Sequence, residues 1–285
     1  MEKSFAKSNI ALRRITDPSK YQPQIDPVDM DTDIYNDVSK NRDTFYVIFA
    51  DDDNTVGLCC IRDDADAFLY IYIFPEYRHK GYGYLAACTA ERQIQSSPLL
   101  SIATAYDSKN EIAKNFAEKC GFEVKSSSSV MCYQGEKFDI PELPIHKHRD
   151  EDFVEAYSMS AEAFHIMRLE TGHDPNSVLY VPDDEVRQYC LDTADERYIY
   201  VLDDEIVGCA HIDGAEIDNV AIKITHQGKG LGKLFVKFLV NEILEKGVGE
   251  PFLFCLSVNK KARRLYDSLG FKEVTCNIFA VKKVQ

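Results

Sequence analysis

The chain has 285 residues, enough for two domains of ordinary size, and its 45% hydrophobic and 28% charged content is that of a globular protein rather than a disordered or fibrous one. The formal charge is −14, and a split after residue 145 leaves equal negative charge on both sides, so neither half carries the basic footprint of a nucleic-acid binder. No apolar run approaches the roughly 20 residues of a membrane span, and "MEKSFAKSNIALRR" lacks the apolar core of a signal peptide, which predicts a cytoplasmic protein without membrane association.

In chain order, "DDDNTVGLCCI" reads as a strand leaving an acidic turn, with Cys59 and Cys60 adjacent in it. "IYIFPEYRHKGYGYLAA" runs from a strand through a glycine-bearing loop into a helix, and "NEIAKNFAEKCGFEV" is a helix ended by Gly-Phe. "GEKFDIPELPIHKHRD" loses periodicity and carries two prolines, so the chain between about residues 134 and 150 reads as a link, with "HKH" (146–148) a solvated segment within it. The domain boundary is placed there, giving domains 1–137 and 138–285. Beyond it, "DFVEAYSMSAEAFHIM" has helical spacing, and "ERYIYVLDDEIVGCAHID" reads as two strands around an acidic turn. "GAEIDNVAI" is a further strand. "LGKLFVKFLVNEILEKG" puts Leu231, Leu234, Phe235, Phe238 and Leu239 on one helical face and stops at Gly247. "PFLFCL" reads as a buried strand and "NKKARRLYDSLG" as a capped helix stopped by Gly270. The nine cysteines are odd in number and show no C-x-x-C spacing, which predicts reduced thiols serving as small core residues and no metal site.

The two halves repeat. Gln227 stands 149 residues after Arg78, Asn259 the same distance after Asn110, and Gly270 after Gly121. Upstream, Gly208 stands 151 residues after Gly57, so a two-residue length difference lies in the turn between those strands and the glycine loops. Matched units of this length are duplicated domains rather than a short-period solenoid. Each has the order helix, strands, glycine loop, helix, strand, helix, which predicts an α/β fold with a mixed sheet in each domain.

The loop "THQGKGLGKLF" sets Gly228, Gly230 and Gly232 before a helix. A helix start carries unpaired N–H groups and about +0.5 of an elementary charge, and glycines let that backbone close on a pyrophosphate. The spacing, [R/Q]-x-x-G-x-G in both halves, is neither the Lys-Ser/Thr of a P-loop nor G-x-G-x-x-G. Together with "IDNVAI" before it and "NKKARRLY…LGF" after it, the pattern resembles the GNAT superfamily of acyl-CoA-dependent N-acyltransferases, and "IYIFPEYRHKGYG" with Asn110 and Gly121-Phe122 carries the likeness in the first half. Tandem members are known in this superfamily. The resemblance implies two GNAT-like domains, each a mostly antiparallel mixed sheet flanked by helices.

It also implies roles for particular residues. Gln227, Gly228, Lys229, Gly230, Leu231, Gly232 and Lys233 would form the pyrophosphate loop of acetyl-CoA. The strand carrying Val220, Ala221 and Ile222 would pair with the pantetheine amides, and Asn259 would bond that arm. Tyr266 would protonate the departing thiolate. A main-chain N–H near Val220 or Ala221 would meet the oxyanion. Glu216, 11 residues before Gln227, is the candidate base, with Asp218 and His211 as rivals. The competing reading of Glu216 and Asp218 is a pair of solvated edge carboxylates.

In the first half Tyr266 maps to Ala117 and Glu216 to Ala67, while Ile73, Arg78, Lys80, Gly81, Tyr82, Gly83 and Asn110 keep the elements of a possible second coenzyme site. Asp66 and Tyr106 are conceivable substitutes there. The expectation is one catalytic domain, the C-terminal one, acetylating a primary amine of a small molecule or peptide as a monomer or homodimer. A non-catalytic acyl-CoA-binding regulator and an acetyltransferase of thiol biosynthesis are the alternatives. Acceptor specificity is expected in residues 163–190, whose "DDE" (183–185) reads either as a cation-binding patch or as a helix start.

Overall fold

In the computed structural model, which describes residues 9–17, 19–25, 45–50, 54–63, 67–94, 101–179 and 182–283, the chain forms β1 (Ala11–Arg14), β2 (Phe45–Phe49), β3 (Thr55–Asp63), β4 (Ala67–Ile73), α1 (Tyr82–Ile94), β5 (Ser101–Asp107), α2 (Glu111–Lys119) and β6 (Glu123–Cys132). It continues through β7 (Ile145–Lys147), α3 (Phe153–Thr171), α4 (Asp184–Asp192), β8 (Arg197–Leu202), β9 (Glu205–Asp213), β10 (Glu216–Ile222), α5 (Leu231–Lys246), β11 (Phe252–Leu256), α6 (Lys260–Leu269) and β12 (Lys272–Lys283). Before Phe45 the described residues hold β1 and a short 3-10 turn. A helix expected ahead of the first strands falls outside them.

Two compact units emerge, residues 1–126 with 277–285 and residues 127–276. In the first, β1 to β5 lie side by side in chain order and the distal part of β12 closes the sheet on β5, from Asn277 opposite Asp107 to Lys283 opposite Ser101. In the second, β7 to β11 lie side by side and the distal part of β6 closes the sheet on β11, from Ser128 opposite Leu256 to Cys132 opposite Phe252. Each sheet is antiparallel except for one parallel pair, β4 with β5 and β10 with β11. A cut at 137/138 follows the covalent order of the repeats. The compact units divide elsewhere because β6 and β12 each begin in one unit and finish in the other's sheet.

The sheet of unit 2 has apolar side chains on both faces. Phe235, Val236, Leu239, Val240 and Ile243 of α5 pack with Tyr198, Ile212, Ile217 and Leu253 on one face. Ala156, Met159 and Ala163 of α3 cover Ile199, Ile206 and Ala221 on the other. Burying each large side chain is worth roughly 1.5–3 kcal/mol, so α5 anchors the loop that precedes it. The face of α5 is wider than the sequence reading gave it, since Val236, Val240 and Ile243 are fully buried while Leu231, Leu234 and Phe238 sit at its margins. Strand alternation explains the cysteine pair: Cys59 joins the core under α1 and Cys60 the core on the opposite face.

Two readings are corrected. "HKH" is not solvated: Ile145, His146 and Lys147 pair with Tyr200, Ile199 and Tyr198, and His148 is buried. "PFLFCL" is fully buried on one face only, where Leu253 and Cys255 join the core, while Phe254 on the other face is exposed. All nine cysteines are free thiols. Among the described residues no helix is long and apolar enough to cross a membrane.

Candidate active site

The site is organised by an irregularity in β10. The hairpin pairs Glu216 with Asp213, Ile217 with Ile212 and Asp218 with His211, then shifts register before Ala221 meets Cys209 and Ile222 meets Gly208. Asn219 takes up the extra length at φ +52°, a left-handed backbone that asparagine tolerates better than most residues. Its N–H and Nδ2 both donate to the Asp218 carboxylate, at 2.7 and 2.6 Å. Val220 is left without a cross-strand partner in the register. The side facing β11 is open as well: these strands are in register only where Glu216 lies opposite Phe252, and beyond it they part. Strands that splay expose main-chain donors and acceptors along one edge, which an extended amide-bearing chain can pair with.

At the end of β10 a 3-10 turn, Ile224–His226, leads into the glycine loop. Gln227 closes that loop by donating from Nε2 to the Ile222 carbonyl at 3.0 Å. Gly228 and Gly230 have φ of +76° and +87°, a region that disfavours side chains, and a Cβ on either would meet nothing within 4 Å. The backbone therefore faces open space. Gly230 is the N-cap of α5, and no side chain caps this helix, so its first N–H groups have no side-chain partner. Lys229 and Lys233 are exposed around that opening, while Leu231 packs at the edge of the core. Gly232 lets α5 approach β10, a Cβ there lying 3.5 Å from Ile222. A helix start with free N–H groups, bare backbone and two exposed lysines fits a diphosphate.

Asn259 caps α6, its Oδ1 accepting from the Ala262 N–H at 3.1 Å, which leaves the amide NH2 for another partner. Arg263 fixes the helix from its other side, with Nη1 2.6 Å from Glu273 Oε2 and donating to Ser129 Oγ at 3.0 Å. Tyr266 packs on the same core as Val220 and Ile222, its ring centroid 5.8 Å from that of Phe271. Burial pushes its hydroxyl pKa well above the ordinary value, with a smaller contribution from neighbouring Cys255, itself raised by burial to about 11.

On the α3 side of the sheet lies a cavity of about 380 Å³ reaching Cys209, His211 and Asn219 from the walls of α3 and α4. His211 is buried, with Nε2 3.4 Å from a Glu196 carboxylate oxygen. Of the three candidate bases, His211 lines this cavity. Glu216 and Asp218 share its face of the sheet without lining it. Burial raises the pKa of Glu216, and the carboxylates of Asp218 and Asp213 add to the shift. Residues 163–190 do contribute walls, through Phe164, Val178, Val186, Tyr189 and Cys190. Asp183 is a helix start, accepting from the Val186 N–H at 3.0 Å. Sequence reasoning missed His148 and Arg197, which also line the cavity; only strand pairing of β7 and β8 brings them there.

A family model described as the acetyltransferase (GNAT) family matches residues 10–122 and again 156–271, most of the chain. The chain belongs to the acetyltransferase (GNAT) family. Two curated relatives are named as ribosomal protein bS18 alanine N-acetyltransferases. The one from Haemophilus influenzae is 38% identical over 86 residues, 28% of this chain and 58% of its own length. The one from Escherichia coli K12 is 36% identical over 64 residues, 22% of this chain and 43% of its own length. The chain thus spans about half the length of the curated relatives it matches. Among solved structures, a GCN5-related N-acetyltransferase from Sphaerobacter thermophilus aligns with TM-score 0.75 at 16% identity, covering 97% of this chain and 96% of that one. A tandem GNAT protein from the clavulanic acid biosynthesis pathway aligns with TM-score 0.57 at 13% identity, covering 85% and 82%. These two likenesses concern the fold.

The GNAT repeat in unit 1 preserves one half of this arrangement. Arg78 donates from Nε to the Ile73 carbonyl at 3.0 Å, as Gln227 does to Ile222. His79 and Gly81 have φ of +60° and +91°, matching Gly228 and Gly230. Lys80 Nζ bonds the Glu76 carbonyl at 2.8 Å, Tyr82 and Gly83 open α1, and Asn110 caps α2 through Ala113. The bulge is missing: β3 and β4 pair without interruption from Gly57 opposite Ile73 to Asp63 opposite Ala67. Ala67 and Ala117 are packed in the core, and Tyr106 lies on β5 opposite Ile278 with its pKa raised by burial. Asp66 lies outside the described residues. The two-residue length difference between the repeats resides in this hairpin, as a shorter turn and a bulged strand in unit 2.

Proposed function

We propose that the C-terminal GNAT domain is an N-acetyltransferase moving the acetyl group of acetyl-CoA to a primary amine of a small molecule or peptide. The observation that carries this reading is the bulge at Asn219–Val220, set in a strand with one open edge and followed by the uncapped glycine loop. Relatives named as alanine N-acetyltransferases support an amine acceptor.

In this reading Gln227 to Lys233 hold the diphosphate, the edge at Val220, Ala221 and Ile222 pairs with the pantetheine amides, and the Asn259 amide bonds the same arm. The neutral amine attacks the thioester carbonyl. A C–N bond forms, and the oxyanion is met by the Val220 N–H. As the intermediate collapses the C–S bond breaks, the nitrogen's proton passes to Glu216 through water, and Tyr266 gives its proton to the thiolate. The raised pKa of Glu216 suits a base working near neutrality, and that of Tyr266 keeps it protonated until the leaving group needs it. A second assignment, His211 as base, is favoured by its place in the cavity. Unit 1, without bulge, acid or base, is proposed to bind coenzyme or serve as scaffold rather than to catalyse.

The test is thiol release with acetyl-CoA and an amine panel, comparing wild type with Tyr266→Phe. Losing a general acid is expected to lower kcat by about 10²–10⁴ with CoA affinity retained. Full turnover in the variant removes Tyr266 from the mechanism.

A further inference from the structure

A graded row of charge crosses the sheet beneath the cavity of unit 2. Asp218 on β10 lies opposite His211 on β9, and His211 lies opposite Arg197 on β8, so the three side chains share one face. With adjacent strands ~4.8 Å apart, the row extends roughly 10 Å away from the bulge. Its β10 end is acidic, since Glu216 and Asp218 stand there with Asp213 opposite Glu216. Its β8 end is basic. Arg197 donates from Nε to Thr193 Oγ1 at 2.8 Å, its guanidinium lies 5.2 Å from the Tyr189 ring, and among the described residues no carboxylate pairs with it.

Among the described residues that line the cavity there is neither Asp nor Glu. Its walls are apolar and aromatic, with Tyr157, Phe164, Val178, Val186 and Tyr189 prominent. A second polar group waits there. His148 lines the cavity, is only 7% exposed, and its Nε2 has no hydrogen-bond partner. Buried ring nitrogens are rarely left so, and a ligand that supplies the missing bond removes the penalty. A largely apolar chamber with a few convergent polar groups is a small-molecule site.

We infer that the cavity receives a small zwitterionic acceptor, an amine whose carboxylate stands at the far end of an aromatic or branched apolar body, with its nitrogen toward β10 and its carboxylate on Arg197. This rests on the proposed transfer reaction. The acidic end draws the ammonium toward the bulge, the guanidinium engages the carboxylate, and the rings of α3 and α4 hold the body. A polyamine fits poorly, because its second cation would meet Arg197 with no carboxylate in the walls.

4-(2-Aminoethyl)benzoate and phenethylamine share ring and amine and differ in a carboxylate at the far end of the ring. Thiol release with acetyl-CoA is measured for both, with wild type and Arg197→Gln, and calorimetry records the binding of each to the CoA-loaded protein. Wild type is expected to favour the carboxylate-bearing amine in kcat/KM by about tenfold or more, the worth of one charged hydrogen-bonded contact. In Arg197→Gln that preference should vanish through a raised KM for 4-(2-aminoethyl)benzoate, with CoA affinity retained. Equal or reversed preference in wild type overturns the inference, as does an Arg197→Gln variant that keeps the preference. So does better turnover of spermidine or of a peptide N-terminus, or failure to bind 4-(2-aminoethyl)benzoate at all. Binding of that amine that depends on Arg197 without acetyl transfer would uphold the inference and refute the transfer reaction. Transfer to phenethylamine without any preference would do the reverse.

Discussion

Tyr266 and Glu216, the proposed acid and base, are both shifted by burial. The same desolvation acts on both, but its consequences differ. The tyrosine is kept as an acid across the neutral range, whereas the glutamate is brought closer to neutrality from below. For Glu216 the raised pKa means that the protonated form is favoured by folding, so its contribution to stability is present at low pH and lost as pH rises through the folded-state value. Under the proposed mechanism activity runs the other way, because the base must be ionised. The acid limb of the kcat/KM profile is expected above the usual glutamate value of about 4.3. Glu216→Gln should lower the rate about 10²-fold and abolish that limb. A pH series on the variant checks this; an unchanged limb would transfer the role to His211.

At the scale of elements, the glycine loop and the bulge do different work and respond differently to substitution. Gly230 sits at φ +87° with open space beyond it, so Gly230→Ala has no neighbour to strike. Its folding cost is expected to be about 1–2 kcal/mol of left-handed strain. The methyl would stand where the diphosphate is proposed to lie, so CoA affinity should fall more than stability does. Calorimetric titration beside a thermal melt separates the two, and equal losses would argue against a phosphate role for this loop. The loop, α5 and the caps of α6 were legible in the sequence because each depends on local signals: Gly230 before an apolar face, Asn259 and Gly270 at the ends of a helix. The bulge was not legible. Asn219 announces itself only when β9 is counted against β10, and the sequence comparison assigned the length difference between the repeats to a turn. His148 and Arg197 escaped for the same reason, since their position depends on pairing between β7, β8 and β9 rather than on spacing along the chain.

For the molecule as a whole, the terminal strands matter most. The distal part of β12 completes the sheet of unit 1, yet every candidate catalytic residue lies in unit 2. Removing residues 277–285 would uncover the edge of β5 at Ser101–Asp107 and take Ala280 from the core under α1. An exposed edge of this kind invites association. The truncated chain is expected to lose the unfolding transition of unit 1 and to aggregate on heating, followed by calorimetry and light scattering. An unaltered melt would show that β12 is dispensable to it. The exchange of closing strands also constrains descent. A chain shortened to residues 138–285 would forfeit Ser128–Cys132 from the sheet that holds the proposed site, so neither repeat can be discarded without opening the other's sheet, whatever chemistry each retains.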